Sequence, residues 1–335
     1  MGYGMNKVLG LALLSLFVII CPYPAWPAES AKTETLNLVV ENDLFSSRDG
    51  HYTSGVRFSW VPGGDTPTPE WAVKVARLAP WFPQHGEIRH GYAIGQSMFT
   101  PTDITTPNPP VWDRPYAGWL YATIGLGVES GRQLDQFAIT VGVIGPDSLA
   151  EQSQKLVHQI TGSRDPKGWD TQLHNEPGLI VSYQRSWRCL ATTTILGNEV
   201  DLTPHLGVAF GNVYTHANGG LTIRFGQALP DDYGPPRILP GMPGPGEFSP
   251  TSDFGWYLFV GVEGRAVARN IFLDGNTFRD SRRVDKEPLV GDLQFGIVLD
   301  WSYIRLSYTH VMRTREFTTQ VGNDDFGAIG VSVKL

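Results

Sequence analysis

Cysteine is all but missing. The chain has two, and Cys21 lies in a leader-like segment expected to be removed. With only Cys189 left, no intrachain disulfide is possible and the fold must hold without staples. A basic surplus is missing too: the net charge of -7 offers no electrostatic footprint for nucleic acid. After the leader no apolar run is long enough for a membrane-spanning helix. There is no EF-hand loop, no His/Cys spacing of the zinc kind and no G-x-S-x-G elbow. Neither an internal repeat nor a second domain is visible.

What is present begins with Lys7, the apolar run Val8 to Ile20 and Ala25-Trp26-Pro27-Ala28. This reads as a secretory signal over residues 1–28, leaving 29–335 as one domain. Glycine (38 residues) and aromatics (11%) are plentiful, while charged residues reach only 18%. An exported chain of this kind is a large soluble β protein or an outer-membrane barrel.

Periodicity points to strands. Leu36, Leu38 and Val40 alternate with Asn37 and Glu41; Val56, Phe58 and Trp60 with Gly55, Arg57 and Ser59. Leu120 to Val128 and Phe137 to Val143 continue the pattern, as do Trp256 to Val262, Leu293 to Leu299 and Ile304 to Tyr308. One face of each strand is apolar and the other polar. Alternation alone fits a sandwich as well as a barrel. The signal segment, the aromatic row ends (Trp60, Trp119, Trp256, Trp301) and a last strand ending on apolar Leu335 favour the barrel. The expected fold is an all-β, antiparallel transmembrane barrel of about twelve strands. They fall near 35–42, 52–62, 91–99, 116–129, 133–144, 177–189, 199–210, 212–225, 254–269, 289–300, 302–313 and 325–335. The Pro/Gly-rich stretch from Leu229 to Pro250 reads as a loop.

Parity then sorts the loops. With both termini on the periplasmic side, the stretches near 43–51, 100–115 and 145–176 are extracellular, and every chemically rich stretch falls in them. The third carries a short helix. Leu149, Leu156 and Ile160 form an apolar stripe, and Ser148-x-x-Glu151 fits a capping box. Glu151, Gln154, Lys155 and His158 share the polar face opposite.

Several residues there suit hydrolysis. His158 could serve as a base toward water. By alternation Asn42 joins the lipid-facing row and Asp43 the inner one, a pair at the rim able to touch a headgroup and a cation together. Carboxylate and amide oxygens are the hard ligands calcium prefers. Ser54 as nucleophile, with His51 or His158 as base, is the rival scheme. Ser54 falls in the lipid-facing row, whereas Thr53 points inward. Arg114, in Asp113-Arg114-Pro115-Tyr116-Ala117-Gly118-Trp119, could bind phosphate; that stretch also reads as a proline turn with an aromatic girdle.

These residues resemble the lipid A 3'-O-deacylase family of bacterial outer-membrane barrels. The likeness rests on Asn42-Asp43, Tyr52-Thr53-x-Gly55, Thr100-Pro101, the Asp113–Trp119 stretch, Val143-Ile144-Gly145-Pro146-Asp147, Gln154-x-x-x-His158 and the run from Trp169 to Asn175-Glu176. It implies twelve strands, calcium as cofactor, and removal of the 3'-linked acyloxyacyl group of lipid A from lipopolysaccharide in the outer leaflet. It further implies His158 as general base, Asn42, Asp43 and Thr53 in the active site, and calcium helping to form the oxyanion hole. The family's lysine after strand three is not matched: its position falls on Thr106, and no lysine lies between residues 100 and 116. Arg114 and Lys155 are then the candidates for that cation. The alternatives are a phospholipase with a serine nucleophile and a non-enzymatic pore.

Overall fold

The computed structural model describes residues 34–43, 51–63, 66–78, 82–83, 85–238 and 252–335. The signal segment expected over 1–28 lies outside them. The alternating stretches form β1 (Thr35–Asn42), β2 (His51–Val61), β3 (Glu87–Thr100), β4 (Ala117–Ser130), β5 (Gln133–Ile144) and β6 (Glu176–Trp187). They continue as β7 (Ala191–Ile195), β8 (Asn198–Gly211), β9 (Tyr214–Gln227), β10 (Phe254–Asn270), β11 (Leu289–Trp301), β12 (Ile304–Arg313) and β13 (Asp324–Lys334). Each pairs antiparallel with its sequence neighbours except that β6 and β7 do not pair with each other; β1 pairs β13, and the sheet closes where β6 meets β8. β8 pairs with β6 through Ile180↔Gly211 to Ser186↔His205, then with β7 through Ala191↔Leu202 to Ile195↔Asn198. β6 and β7 are therefore one wall strand interrupted at residues 188–190, and the barrel has twelve wall positions.

The rows face as the alternation requires. Val56, Phe58, Ile94, Ile124, Val141, Leu258 and Phe295 are exposed on the outer wall, while Asn37, Ser59, Gln136, Arg224, Glu263, Asp292 and Arg305 are buried in the lumen. So narrow an interior tolerates charge only in pairs. Asp292 accepts from Arg265 Nη2 and Arg313 Nε, both at 2.9 Å, and Arg224 donates to Asp201 and Asp232. Aromatics fill the end nearest Asn42, where Tyr52, Phe99, Trp119, Tyr121, Phe272 and Phe326 share one buried cluster. Trp119, expected in an outer girdle, is instead a lumen residue stacked near Tyr121 at 4.4 Å.

The loop after β9 also enters the lumen. Asp232 receives Arg305 at 2.5 Å, Arg237 donates to Gln294 at 2.7 Å, and the Ile238 amide donates to Glu41 Oε1 at 3.0 Å. Six residues of extended chain span about 20 Å. Residues 232–238 thus run from the end of the lumen nearest the chain termini toward the end of β1.

Antiparallel order puts the end of β1 and the loops 101–116, 145–175, 271–288 and 314–323 on one rim. Among the described residues three α-helices accompany the barrel: α1 (Glu70–Leu78), α2 (Ala150–Thr161) and the single turn α3 (Ile271–Asp274). Ala72 and Ala76 of α1 pack with Leu126 and Val128 of the outward row, so α1 lies on the outside of the wall near the other rim. α2 is the expected helix, with one difference. Its first turn lacks a capping box: Leu149 is the cap residue without a side-chain cap bond, and the Ser148 hydroxyl donates to the Gly145 carbonyl. Its apolar stripe faces away from the wall: Leu149, Leu156 and Ile160 are 51%, 58% and 54% exposed, while Gln154 is buried.

Candidate functional site

α2 lies against the outer, lipid-side face of the wall. Gln96 and Gly118 belong to the outward rows of β3 and β4. The Gln96 amide donates to the Ser148 carbonyl at 2.6 Å, and a Cβ on Gly118 would strike Ser148 and Ala150. Below the helix, Met98, Tyr116, Ala150 and Trp169 pack together, with the Tyr116 and Trp169 rings 4.9 Å apart. Trp169 Nε1 donates to Gln154 Oε1 at 2.7 Å. That bond explains why the polar face turns inward: Gln154 finds its partner in the loop that follows.

Between wall and helix lies a cleft. Asn42, Asp43, Thr53, Ser54, Met98 and Thr100 line it from the wall, Thr102 and Ile104 from the next loop, and Gln154, Val157, His158, Ser163 and Arg164 from α2 and its exit. Four residues singled out from the sequence, Asn42, Asp43, Thr53 and His158, therefore meet in one place. Alternation placed Thr53 and Asp43 inside the wall; two local departures from regularity turn them out. The register of β2 against β3 shifts between Tyr52 and Ser54, a bulge that takes Thr53 out of the inner row. Its hydroxyl shares a hydrogen bond of 2.6 Å with Thr100. Asp43 follows the last residue of β1, where strand parity no longer holds.

His158 is oriented by the end of its own helix. Gly162 adopts φ 65°, a left-handed cap that glycine takes without strain, and its amide and that of Ser163 return to the His158 carbonyl. The reversal brings the Arg164 carbonyl 2.5 Å from His158 Nδ1. A carbonyl only accepts, so Nδ1 carries the proton and Nε2 is left as the acceptor nitrogen of the neutral ring.

The two proposed cations lie elsewhere. Arg114 is fully buried, its guanidinium 3.3 Å from Glu316 and 4.9 Å above the Phe99 ring. Burial pushes the Glu316 carboxyl up, but Arg313 and Arg114 more than offset this and hold it below the usual range. Lys155 pairs with Glu151 at 2.5 Å one turn back, which raises its pKa, and does not line the cleft. The arginine that does line it is Arg164, which pattern reading missed because it lies in no motif. Nothing is described of the His51 side chain; His174 is exposed outside the cleft.

Two of the loop motifs prove to be framework. Asp113 accepts from the Thr102 and Arg114 amides at 2.9 and 2.8 Å, and the Leu173 amide donates to the Tyr116 carbonyl. Glu176 accepts from Asn212, Asn276 and the Thr277 amide. These bonds fix the 101–116 and 145–175 loops to the rim and to each other.

As for a cation, the cleft offers the Asp43 carboxylate, the Asn42 amide and the hydroxyls of Thr53, Thr100 and Thr102 as oxygen donors, beside the His158 ring nitrogen. Among the described residues no group of three or more His, Cys, Asp or Glu could hold a metal. One carboxylate amid neutral oxygens suits a hard ion such as calcium.

A closed antiparallel barrel with a polar cleft on its outer wall defines an outer-membrane β-barrel protein whose candidate site faces away from the lumen. The chain belongs to the outer membrane protein LpxR family, which it matches over residues 11–335. Its fold is similar to that of LpxR from Salmonella typhimurium, with 19% identity, a TM-score of 0.72 and coverage of 90% of this chain and all of that one. The β domain of the Bordetella autotransporter BrkA is a more distant barrel, 10% identical with a TM-score of 0.42, covering 90% of this chain and 99% of that one. No curated protein matches the chain.

Proposed function

We propose that this protein is a calcium-dependent esterase that removes the 3'-linked acyloxyacyl group of lipid A, in the outer leaflet of the outer membrane. The observation that carries the reading is the meeting of His158, Asn42, Asp43 and Thr53 in a cleft on the lipid side of the wall. A substrate held in the leaflet can reach such a cleft sideways, with its headgroup at the rim.

In this scheme His158 Nε2 takes a proton from water, and the water oxygen attacks the ester carbonyl. The Arg164 carbonyl keeps the other ring nitrogen protonated throughout, so the ring cannot turn its donor toward the water. The Thr53 hydroxyl and the Asn42 amide are placed to donate to the developing oxyanion. As the tetrahedral intermediate collapses, the imidazolium returns its proton to the leaving sugar oxygen. Asp43, with Asn42, would hold calcium, which when bound supplies positive charge beside the ester carbonyl. Arg164 offers a planar fork to a phosphate on the same lipid, the role first considered for Arg114 and Lys155.

A serine nucleophile is the second reading, and one observation favours it: Ser54 lines the same cleft as His158. Its lipid-facing position therefore does not exclude it. Ser54→Ala separates the two, since the water mechanism keeps most of its activity and the serine mechanism loses it. A passive pore is disfavoured by the ion pairs and the loop segment that cross the lumen. The central experiment is mass spectrometry of lipid A from cells expressing the chain, with and without calcium. Loss of the 3' acyloxyacyl mass only when calcium is present is expected; unchanged lipid A in both would overturn the proposal.

A further inference from the structure

Directly behind the cleft, on the inner face of the same two strands, sits the tip of the lumen segment. Glu41 and Asn42 are neighbours on β1 that point to opposite sides of the wall. Asn42 is paired with Ser54 on the cleft side, and Glu41 with Gly55 on the lumen side. Glu41, 1% exposed, accepts the Ile238 amide at 3.0 Å. Ile238, equally buried, reaches across to β2, where its Cδ1 comes within 3.0 Å of where a Cβ on Gly55 would stand. Arg237 ties the same tip to the far side, donating to Gln294 at 2.7 Å and lying 3.5 Å from Asp292 on β11.

We infer that residues 237–238 brace the cleft from within, with Glu41 as the positioning residue that sets the Asn42–Asp43 strand end against the Thr53 bulge. The need for a brace follows from the local structure. β1 ends at Asn42, and the bulge interrupts the register of β2 on β3 just beyond Ser54. The cleft groups therefore lie where the sheet's own hydrogen bonds give out. A buried carboxylate accepting a backbone amide from an element anchored three strands away supplies the missing constraint, at a point one residue from Asn42. Barrel filling alone would be met by apolar side chains; a buried carboxylate is costly unless it is hydrogen-bonded and paired, and the Ile238 amide supplies such a bond to Glu41. Gly55 belongs to the same arrangement, since any side chain there would meet Tyr52 and Ile238.

The inference rests on the proposed esterase reading, and its test keeps the two apart. Wild type, Glu41→Ala, Glu41→Gln and Ile238→Pro are purified as folded, heat-modifiable barrels. Hydrogen–deuterium exchange is followed over residues 35–43 and 51–61, and lipid A 3'-deacylation is measured across a calcium series. Glu41→Ala and Ile238→Pro should each speed exchange near 41–43 at least tenfold while sparing β10 to β12. They should lower kcat at least tenfold and raise the calcium needed for half-activity. Glu41→Gln, which keeps an acceptor for the Ile238 amide, should stay within about threefold of wild type. Ile238→Pro removes the donor, and with it the apolar contact at Gly55, without altering β1, so it decides the matter should Glu41→Ala fail to fold. Unchanged exchange near 41–43 in the folded variants would overturn the brace whatever the activity. Faster exchange with wild-type kcat and calcium response would overturn its positioning role. Inactive wild type would overturn the esterase reading and leave the exchange result to judge the brace.

Discussion

The Nδ1–Arg164 hydrogen bond leaves Nε2 as the ring nitrogen with which His158 could exchange a proton. Removal of His158 should damage chemistry and leave the barrel alone, because α2 is held by Gln96 of the wall, by Ala150 packed on Met98 and by Gln154 on Trp169 of its own loop rather than by the imidazole. His158→Asn is expected to cut lipid A deacylation by roughly 10²-fold or more, the usual scale for a lost general base. The same preparation should still shift on a heat-modifiability gel. A folded variant of near-normal activity would move the base elsewhere, to His51 or His174. Asp43 and Asn42 differ in charge, so Asp43→Ala should raise the calcium requirement more than Asn42→Ala does. Equal calcium titrations for Asp43→Ala and wild type would remove Asp43 from the metal site. The cations separate in the same way. Arg164→Ala is expected to raise KM about tenfold, the effect of losing one charge-assisted contact to phosphate. Lys155→Ala, breaking only an exposed pair one helical turn apart, should change it less than twofold. Equal effects from both would return Lys155 to the substrate site.

At the scale of elements, the strands were readable and their irregularities were not. Alternation reflects which face of a strand meets lipid, and that holds along whole rows such as Val56–Phe58–Trp60, so all twelve wall positions could be placed from pattern. A bulge leaves no mark on alternation except to break it. Thr53 was therefore expected inside, although its type and neighbours had already marked it as part of the site. The apolar stripe of α2 was readable, but not the direction it faces. An apolar stripe points toward the nearest apolar medium, and for a helix on the outside of a barrel that medium is the bilayer. Leu149, Leu156 and Ile160 would each forfeit roughly 1.5–3 kcal/mol if turned to water. α1 was not read from the sequence, although Ala72, Val75 and Ala76, which pack on the wall, recur at helical spacing. Arg114 and Arg164 exchanged roles because a side chain's burial depends on distant partners such as Glu316, which no local spacing encodes. The seat of α2 can be tested at Gly118. Gly118→Val should push Ala150 and Ser148 off the wall, lowering deacylation at least tenfold with the barrel still heat-modifiable. Full activity would show that the helix need not rest on the wall.

For the whole molecule, the arrangement inverts the usual use of a barrel. The lumen is crossed by ion pairs and a loop segment and keeps a cavity of about 90 Å³ beside Arg57, Tyr121, Thr123 and Gln136, while the chemistry is assigned to the outer wall. Both loops that enclose the cleft, 101–116 and 145–175, are locked to each other by backbone bonds such as Lys167 to Ile104 and Leu173 to Tyr116.

A cleft that opens sideways on a leaflet samples a surface instead of a volume. The encounter rate then depends on how many neighbours in the plane are substrate, whatever the amount of lipid in the tube. Diluting lipid A with inert detergent or phospholipid at constant total lipid A should slow the wild-type enzyme in proportion to the falling mole fraction. Adding more mixed micelles of the same composition, once all enzyme is inserted, should leave the rate unchanged. A rate that tracked bulk concentration instead would mean that substrate arrives through water, over the rim. Under the proposed reaction the acyl chain would meet the same geometry from the other direction: it would be set free already within the bilayer, and its departure would be a lateral step among neighbours of its own kind.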